Sequence, residues 1–250
     1  MTEKKNAQTM DENERVEQAV NMFEHKDFST VGLRHRLGYS LRLIFWVLGI
    51  KAQQGLKRLM DVVVSMTALI ILSPIFLITA ILIKLDSPGP IFFKQTRVGK
   101  WGRLFGVYKF RSMYLDAEKR KQDLMALNEA DGPVFKMRND PRITRVGRYI
   151  RKLSVDELPQ LINILQGDMS LVGPRPPLPR EVEQYNYHQR KRLDVPAGIT
   201  GLQQVSGRSD LDFEKWVAYD IEYIEKQSIW FDIKILLKTI PAVLGGKGAY

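Results

Sequence analysis

The chain has 250 residues, no cysteine, three histidines and a formal net charge of +10. Without cysteine there is no disulfide framework, no thiol chemistry and no Cys-based zinc site, and His25, His35 and His188 are too widely spaced in sequence to suggest a histidine metal cluster. Residues 94–152 hold 16 Lys/Arg against 6 Asp/Glu, so the whole positive excess lies in one block, which suits a phosphorylated substrate, an anionic membrane surface or nucleic acid.

Residues 1–35 are polar, mixed in charge and lack the apolar centre of a cleavable signal peptide; they read as a poorly ordered or loosely helical tail. Residues 37–50 turn apolar over a length too short to cross a bilayer but suited to its interface. Residues 59–83 are the membrane segment. As one helix they would be about 37 Å long, against a hydrocarbon core of about 30 Å. Ser73-Pro74 interrupts them, and the proline frees the carbonyl of Ile70 and bends the helix. Lys51, Lys57 and Arg58 precede the segment and Lys84, Lys94 and Arg97 follow it, so the positive-inside bias puts both ends on the cytoplasmic side. A helix that enters one leaflet, turns at Ser73-Pro74 and returns satisfies both facts; a proline-kinked span is the alternative.

Residues 86–90 form a turn cluster, and residues 91–93 and 104–110 read as strands joined by a hairpin turn over 99–103. Lys109-Phe110-Arg111-Ser112-Met113 alternates cation and apolar residue, placing Lys109 and Arg111 on one strand face. A polar helix is expected over 114–130, a loop over 131–141 and a basic helix over 143–153, where Arg145, Arg148 and Arg151 recur every three residues as a stripe. Asp156 and Glu157 follow. Adjacent carboxylates facing cations suit clustered negative charge, such as a diphosphate with a divalent metal. The same residues admit a structural reading, with Asp156 as N-cap of a helix over 157–165 and Ser154 and Glu157 at capping-box spacing. Gly167 stops that helix. Residues 168–177 are extended, with Arg175 in a proline frame, and 181–192 read as a charged helix. Residues 196–201 and 205–208 are glycine-rich turns whose backbone can approach a ligand closely. A helix is expected over 209–226, and 229–244 suits an amphipathic helix on a membrane surface.

Taken in order, these motifs resemble one family, the bacterial sugar transferases, or monotopic polyprenyl-phosphate phosphoglycosyl transferases. The resemblance runs from Lys57 to Tyr250. It rests on Lys57-Arg58 with Asp61, Ser73-Pro74, Lys109 to Met113, Asp156-Glu157-Leu158-Pro159-Gln160, Ser170 to Pro176, Gly198-Ile199-Thr200-Gly201-Leu202, Gln204 to Arg208 and Gly248-Ala249-Tyr250. Each motif alone is weak, and their joint order is specific. The chain departs from the family at Gln203, where Trp is usual, and it resembles the short form, with a modest extension before the membrane segment.

The resemblance implies an α+β, membrane-associated fold: a re-entrant N-terminal membrane helix, a small, mostly helical cytosolic domain and interfacial amphipathic helices. The expected division is 1–56 as extension, 57–86 as re-entrant helix and 87–250 as transferase domain, at the cytoplasmic face of the bacterial inner membrane. The implied reaction transfers a sugar phosphate from a UDP-sugar to undecaprenyl phosphate and releases UMP. Asp156 would be the nucleophile that carries the phosphosugar covalently. Glu157 would help hold Mg²⁺, with Asp156, or handle a proton. Arg151, Lys109, Arg111, Arg175 and Arg208 would bind phosphate or substrate, and Ser73 and Pro74 would shape the bend. A homo-oligomer is compatible with the sequence but not specified by it. Two other readings are a non-catalytic scaffold of polysaccharide assembly, which the intact Asp156-Glu157 pair argues against, and nucleic-acid binding, which the membrane segment and the lack of a recognisable module argue against.

Overall fold

A proline without an N–H shapes the start of the molecule. In the computed structural model, which describes residues 33–129, 133–135, 137, 139–207 and 211–245, helix α1 (Leu33–Ile71) ends just before Pro74 and helix α2 (Ser73–Asp86) sets off at 60° to it. The Ile70 carbonyl, which Pro74 leaves without a backbone donor, accepts instead from Ser73 Oγ at 2.8 Å. Leu72 N donates to Ala68 O at 2.8 Å before the break, and Phe76 N to Leu72 O at 3.0 Å after it. The carbonyl that the proline strips of its donor is therefore still satisfied at the bend. No single helix among the described residues is long and apolar enough to cross a membrane, but the bent pair Lys51–Ile71 and Ser73–Asp86 is, by length and composition. The chain divides into two units, Met1–Ala52 and Gln53–Tyr250. The described part of the first is the opening of α1, and all that follows concerns the second.

Strands β1 (Phe92–Val98) and β2 (Leu104–Phe110) pair antiparallel as the hairpin reading expected, from Phe92 opposite Phe110 to Val98 opposite Leu104, but β1 runs on to Val98 where a strand over 91–93 alone was expected. The hairpin tip turns on two positive φ angles, 57° at Trp101 and 81° at Gly102. The helix expected over 114–130 is shorter: α3 (Ala117–Asp123) and a separate turn Met125–Leu127. The basic helix is α4 (Arg145–Lys152), N-capped by Thr144, whose hydroxyl accepts from Gly147 N at 2.9 Å. Helix α5 (Gln160–Gln166) stops at Gly167, φ 87°, and leads into β3 (Met169–Val172).

The helix expected over 181–192 is broken into α6 (Pro179–Glu183), α7 (Tyr187–Arg190) and a turn Lys191–Leu193. Local side-chain bonds restart the chain twice: Leu178 N donates to Glu181 Oε2, and Asn186 and Gln189 exchange side-chain-to-backbone bonds. The segment read as a glycine turn over 196–201 is mostly a strand, β4 (Ala197–Thr200), parallel to β3. A Cβ on Gly198 would strike the backbone of Gly173, so glycine there permits the close passage of two chain segments. Helices α8 (Leu202–Ser206), α9 (Phe213–Glu225) and α10 (Ile229–Gly245) complete the described fold.

The main core joins Val107 of β2, Leu161 and Ile164 of α5, Met169 and Val172 of β3, Tyr223 of α9 and Ile235 of α10. Each such side chain contributes about 1.5–3 kcal/mol by leaving water. A second cluster packs Ile83 of α2 against Phe110 and Ile150 of α4. Polar bonds fasten α1 to the core. Lys57 Nζ reaches Asp232 Oδ2 at 2.5 Å and the Val172 carbonyl at 3.1 Å, Arg58 bonds the carbonyls of Ile164 and Leu165, and Asp61 Oδ1 accepts from Leu171 N at 2.9 Å and Ser170 Oγ at 3.0 Å. The basic residues read as a flank of the membrane segment are thus also its attachment to the core of the domain.

Candidate active site

The two carboxylates owe their placement to Ser154. After α4 the chain reverses at this residue, in the left-handed region at φ 55°, and enters a tight turn over Val155–Glu157. A non-glycine residue held there costs about 1–3 kcal/mol, a strain typical of functional sites. Neither Ser154 nor Pro159, the residue before α5, makes a side-chain cap, so the capping reading of this stretch is overturned. Asp156 instead points into a cavity of about 710 Å³ and is only 6% exposed.

Glu157 is clamped between two cations. Its Oε1 lies 2.7 Å from Lys109 Nζ and 2.8 Å from Arg175 Nη2, and its Oε2 lies 3.4 Å from Arg175 Nη1. Lys109 is aimed there because Asn163 of α5 fixes the strand beside it: Tyr108 N donates to Asn163 Oδ1 at 2.9 Å, and Asn163 Nδ2 donates to the Gly106 carbonyl at 2.8 Å. Arg175 arrives from β3 through Gly173 and Pro174, whose backbones bond Thr200 and Gly198 at 2.9 Å each.

The two carboxyls are driven apart electrostatically. Burial pushes both up. For Glu157, Arg175 and Lys109 outweigh burial and hold the group well below the usual carboxylate range. For Asp156, burial prevails over Lys109, and the charge of Glu157 adds to it, so its pKa is raised. Arg175 is raised by Glu157, and Lys109 is lowered by burial despite Glu157. A fully neutralised carboxylate thus stands beside one that faces the cavity.

The other expected residues divide. Arg151 lines the cavity and acts on Asp156, and its side chain makes no hydrogen bond or ion pair among the described residues. Arg145 and Arg148 are exposed on the outside of α4, because residues three apart drift about 60° per step around a helix. The stripe read from the sequence therefore delivers one arginine to the site. Arg142 is buried in a two-pronged pair with Asp140, with Nε–Oδ1 at 2.8 Å and Nη2–Oδ2 at 2.6 Å. Arg111 borders the cavity, but its guanidinium caps α2, donating to the carbonyls of Ser87 at 2.7 Å and of Pro88. Ser73 and Pro74 sit at the bend, and Arg208 and residues 248–250 lie outside the described residues. Gln203, where the family resemblance led us to expect Trp, is buried and lines the cavity.

Sequence reading missed Gln95 and Arg97 of β1. They share the hairpin face that carries Lys109, and all three line the cavity. The signal was the same two-residue alternation that singled out Lys109 and Arg111.

Among the described residues, no group of three or more His, Cys, Asp or Glu could hold a metal ion. Both Glu157 oxygens already face cations, which leaves Asp156 as the available carboxylate. This donor set does not fit a cage of protein ligands; a single carboxylate fits only a divalent ion that takes most of its bonds from other groups, as Mg²⁺ commonly does.

Comparison with known proteins follows the same boundaries. The chain is 50% identical over 194 residues to the galactosyl transferase CpsE of Streptococcus agalactiae serotype III, covering 77% of this chain and 43% of that one. It is 45% identical over 207 residues to the undecaprenyl-phosphate galactose phosphotransferase of Salmonella typhimurium, covering 80% and 43%. It is 42% identical over 198 residues to the exopolysaccharide production protein ExoY of Sinorhizobium fredii, covering 78% and 88%. The chain thus spans less than half the length of the first two relatives and most of the third. The family model for bacterial sugar transferases matches residues 52–246, from the bent helix pair through the cavity to α10, and the chain belongs to that family.

Proposed function

We propose that this chain transfers a sugar phosphate from a UDP-sugar to undecaprenyl phosphate and releases UMP, through a covalent intermediate on Asp156. The observation that carries the reading is the unequal carboxyl pair. Glu157 spends its charge on holding Lys109 and Arg175 in place, while Asp156 faces the cavity beside Arg151. In the first step an Asp156 carboxylate oxygen attacks the sugar-bearing phosphorus. The P–O bond to the other phosphate breaks, and UMP leaves with that bridging oxygen and its electron pair. In the second step a phosphate oxygen of the lipid attacks the same phosphorus and breaks the Asp156–phosphorus bond, giving the lipid diphosphate sugar. Two like-charged phosphates then meet the enzyme in turn and not each other. Lys109, Arg151 and Arg175 offset the charge that builds on the transferring phosphoryl oxygens. Mg²⁺, bound through Asp156 and the substrate diphosphate, would add charge neutralisation there.

The bent helix pair supports membrane attachment from one side. Ile70, Ile71, Leu77 and Ile78 are exposed on it, and Lys57 and Arg58 tie its first arm to the catalytic body. On α10, exposed Trp230, Leu237 and Ile240 alternate with Lys234 and Lys238, a composition suited to an interface. We take the pair as re-entrant and the catalytic body as lying on the cytoplasmic face of the bacterial inner membrane, where a soluble nucleotide sugar meets a lipid phosphate. Two of the relatives above carry galactose in their names, which makes UDP-galactose the first donor to test.

The test is UMP release from a panel of UDP-sugars by purified protein with Mg²⁺ and undecaprenyl phosphate, with Asp156→Asn alongside. Release by the wild type, its loss in the variant, and a phosphosugar mass adduct on the wild type alone are expected. Equal release by both proteins, or none from any donor, would overturn the reading.

A further inference from the structure

Arg97 is a cation of the cavity whose chemistry the scheme above does not use, and unlike Arg142 and Arg192 it has no carboxylate partner among the described residues. It stands on β1, with Gln95 two residues earlier on the same strand face. Its Nε and Nη2 both donate to Gln95 Oε1, at 3.2 Å and 2.8 Å, and its Nη1 donates to the Pro176 carbonyl at 2.9 Å. A guanidinium has five N–H donors. These bonds hold the fork in one orientation and leave one N–H on each Nη without a recorded bond among the described residues. Its partners are neutral oxygens, and among the described residues no carboxylate lies within ion-pair distance of it. The side chain lines the cavity next to Arg175, the cation held by Glu157.

Such an arrangement is costly unless an anion completes it. Burial and the like charge of Arg175 lower the Arg97 pKa to about 10, against partial relief from Glu181 and Glu157. Glu181 does not pair with it; its Oε2 accepts from Leu178 N instead. An arginine that lines a cavity, is anchored by neutral groups and keeps one N–H on each Nη has the donors to match two oxygens of one phosphate.

We propose that Arg97 is a phosphate-binding residue of this site, preset by Gln95 and the Pro176 carbonyl to bind a phosphoryl group beside Arg175. The proposal rests on the transferase reading. Its ligand is a phosphoryl group, and two substrates carry one, the nucleotide sugar and the lipid phosphate; position alone makes the shared chemistry the claim. A purely structural role, holding the Pro176 segment so that Arg175 is aligned, predicts a different outcome.

The experiment compares wild type, Arg97→Lys and Arg97→Gln in detergent or nanodiscs, measuring kcat and KM for UDP-sugar and for undecaprenyl phosphate separately, with UMP and inorganic phosphate as product-site competitors. Lysine keeps the charge and can still donate to the Pro176 carbonyl, but it has no fork. The expected result is a 10- to 100-fold rise in KM for one substrate, roughly the loss of a charged hydrogen bond, in Lys and Gln alike, with thermal unfolding of the Lys variant unchanged. A rise for UDP-sugar, with weaker competition by UMP, assigns the donor phosphate; a rise for the lipid alone assigns the acceptor. Full activity in Lys with loss in Gln and a lowered unfolding temperature would replace the proposal by the structural role. Wild-type kinetics in both variants would overturn it outright, whereas a wild type that releases no UMP would overturn the transferase reading instead.

Discussion

Replacing Glu157 by Gln removes one negative charge from between two buried cations and tests whether that carboxylate is a clamp or a proton carrier. Glu157 accepts at 2.7 Å from Lys109 and at 2.8 Å and 3.4 Å from Arg175. An amide keeps one acceptor oxygen and turns its NH₂ toward a guanidinium, so at least one of these bonds is lost and a like dipole faces Arg175. Removing one partner of a buried ion pair costs about 3–5 kcal/mol. Arg175 is 32% exposed and open to cavity water, and one acceptor survives, so about 2–4 kcal/mol is the fitting range. For a chain of this size that is a fall in unfolding temperature on the order of 5–12 °C. The activity of the variant carries the sharper signal. In the proposed mechanism Asp156 must be ionised to attack, so its raised pKa would place the acid limb of the rate profile above the ordinary carboxylate value. The Glu157 charge is one cause of that raise, after burial and against Lys109. Neutralising it lowers the Asp156 pKa, so the acid limb in Glu157→Gln should persist and move to lower pH while the maximal rate falls. Disappearance of the limb would mean that Glu157 handles the proton, and a wild-type unfolding temperature would mean that the clamp contributes nothing.

Two further outcomes concern the helix pair. Asp61→Ala leaves Leu171 N and Ser170 Oγ without their acceptor and should cost about 1–3 kcal/mol of stability with a drop in activity, because β3 leads to Arg175; Asp61→Asn keeps an oxygen for both bonds and should come out closer to wild type in thermal unfolding. Ser73→Ala with Pro74→Ala restores a backbone donor for the Ile70 carbonyl and removes its substitute, so the pair should straighten into a span. Reporter tags at Met1 and Tyr250, which the proposed re-entrant topology puts on the same side in the parent, should then lie on opposite sides, and an unchanged Met1 location would show that the bend does not depend on these two residues.

Much of this protein was readable along the chain, for reasons that are local. Pro74 cannot complete a helical bond wherever it stands, so the break was fixed by one residue. The β1–β2 hairpin followed from alternation around a glycine turn, the end of α5 from Gly167, and the nearness of Asp156 to Glu157 from the peptide bond. The composition of the basic block located the cations but not their partners.

What only the tertiary structure decided is which of those cations serve the site. Along the chain, Lys109, Arg111, Arg142, Arg145 and Arg151 look alike. In space Arg111 caps α2, Arg142 is spent on Asp140, Arg145 faces outward, and Lys109 and Arg151 reach the cavity. Arg97 joins them only because strand pairing puts its face with that of Lys109. The different roles of Asp156 and Glu157 were likewise invisible, because a carboxyl's charge state depends on burial and on cations from β2 and the β3 exit, brought there by long-range packing. A sequence states which charges a chain carries, whereas the fold decides which are neutralised and which remain to act.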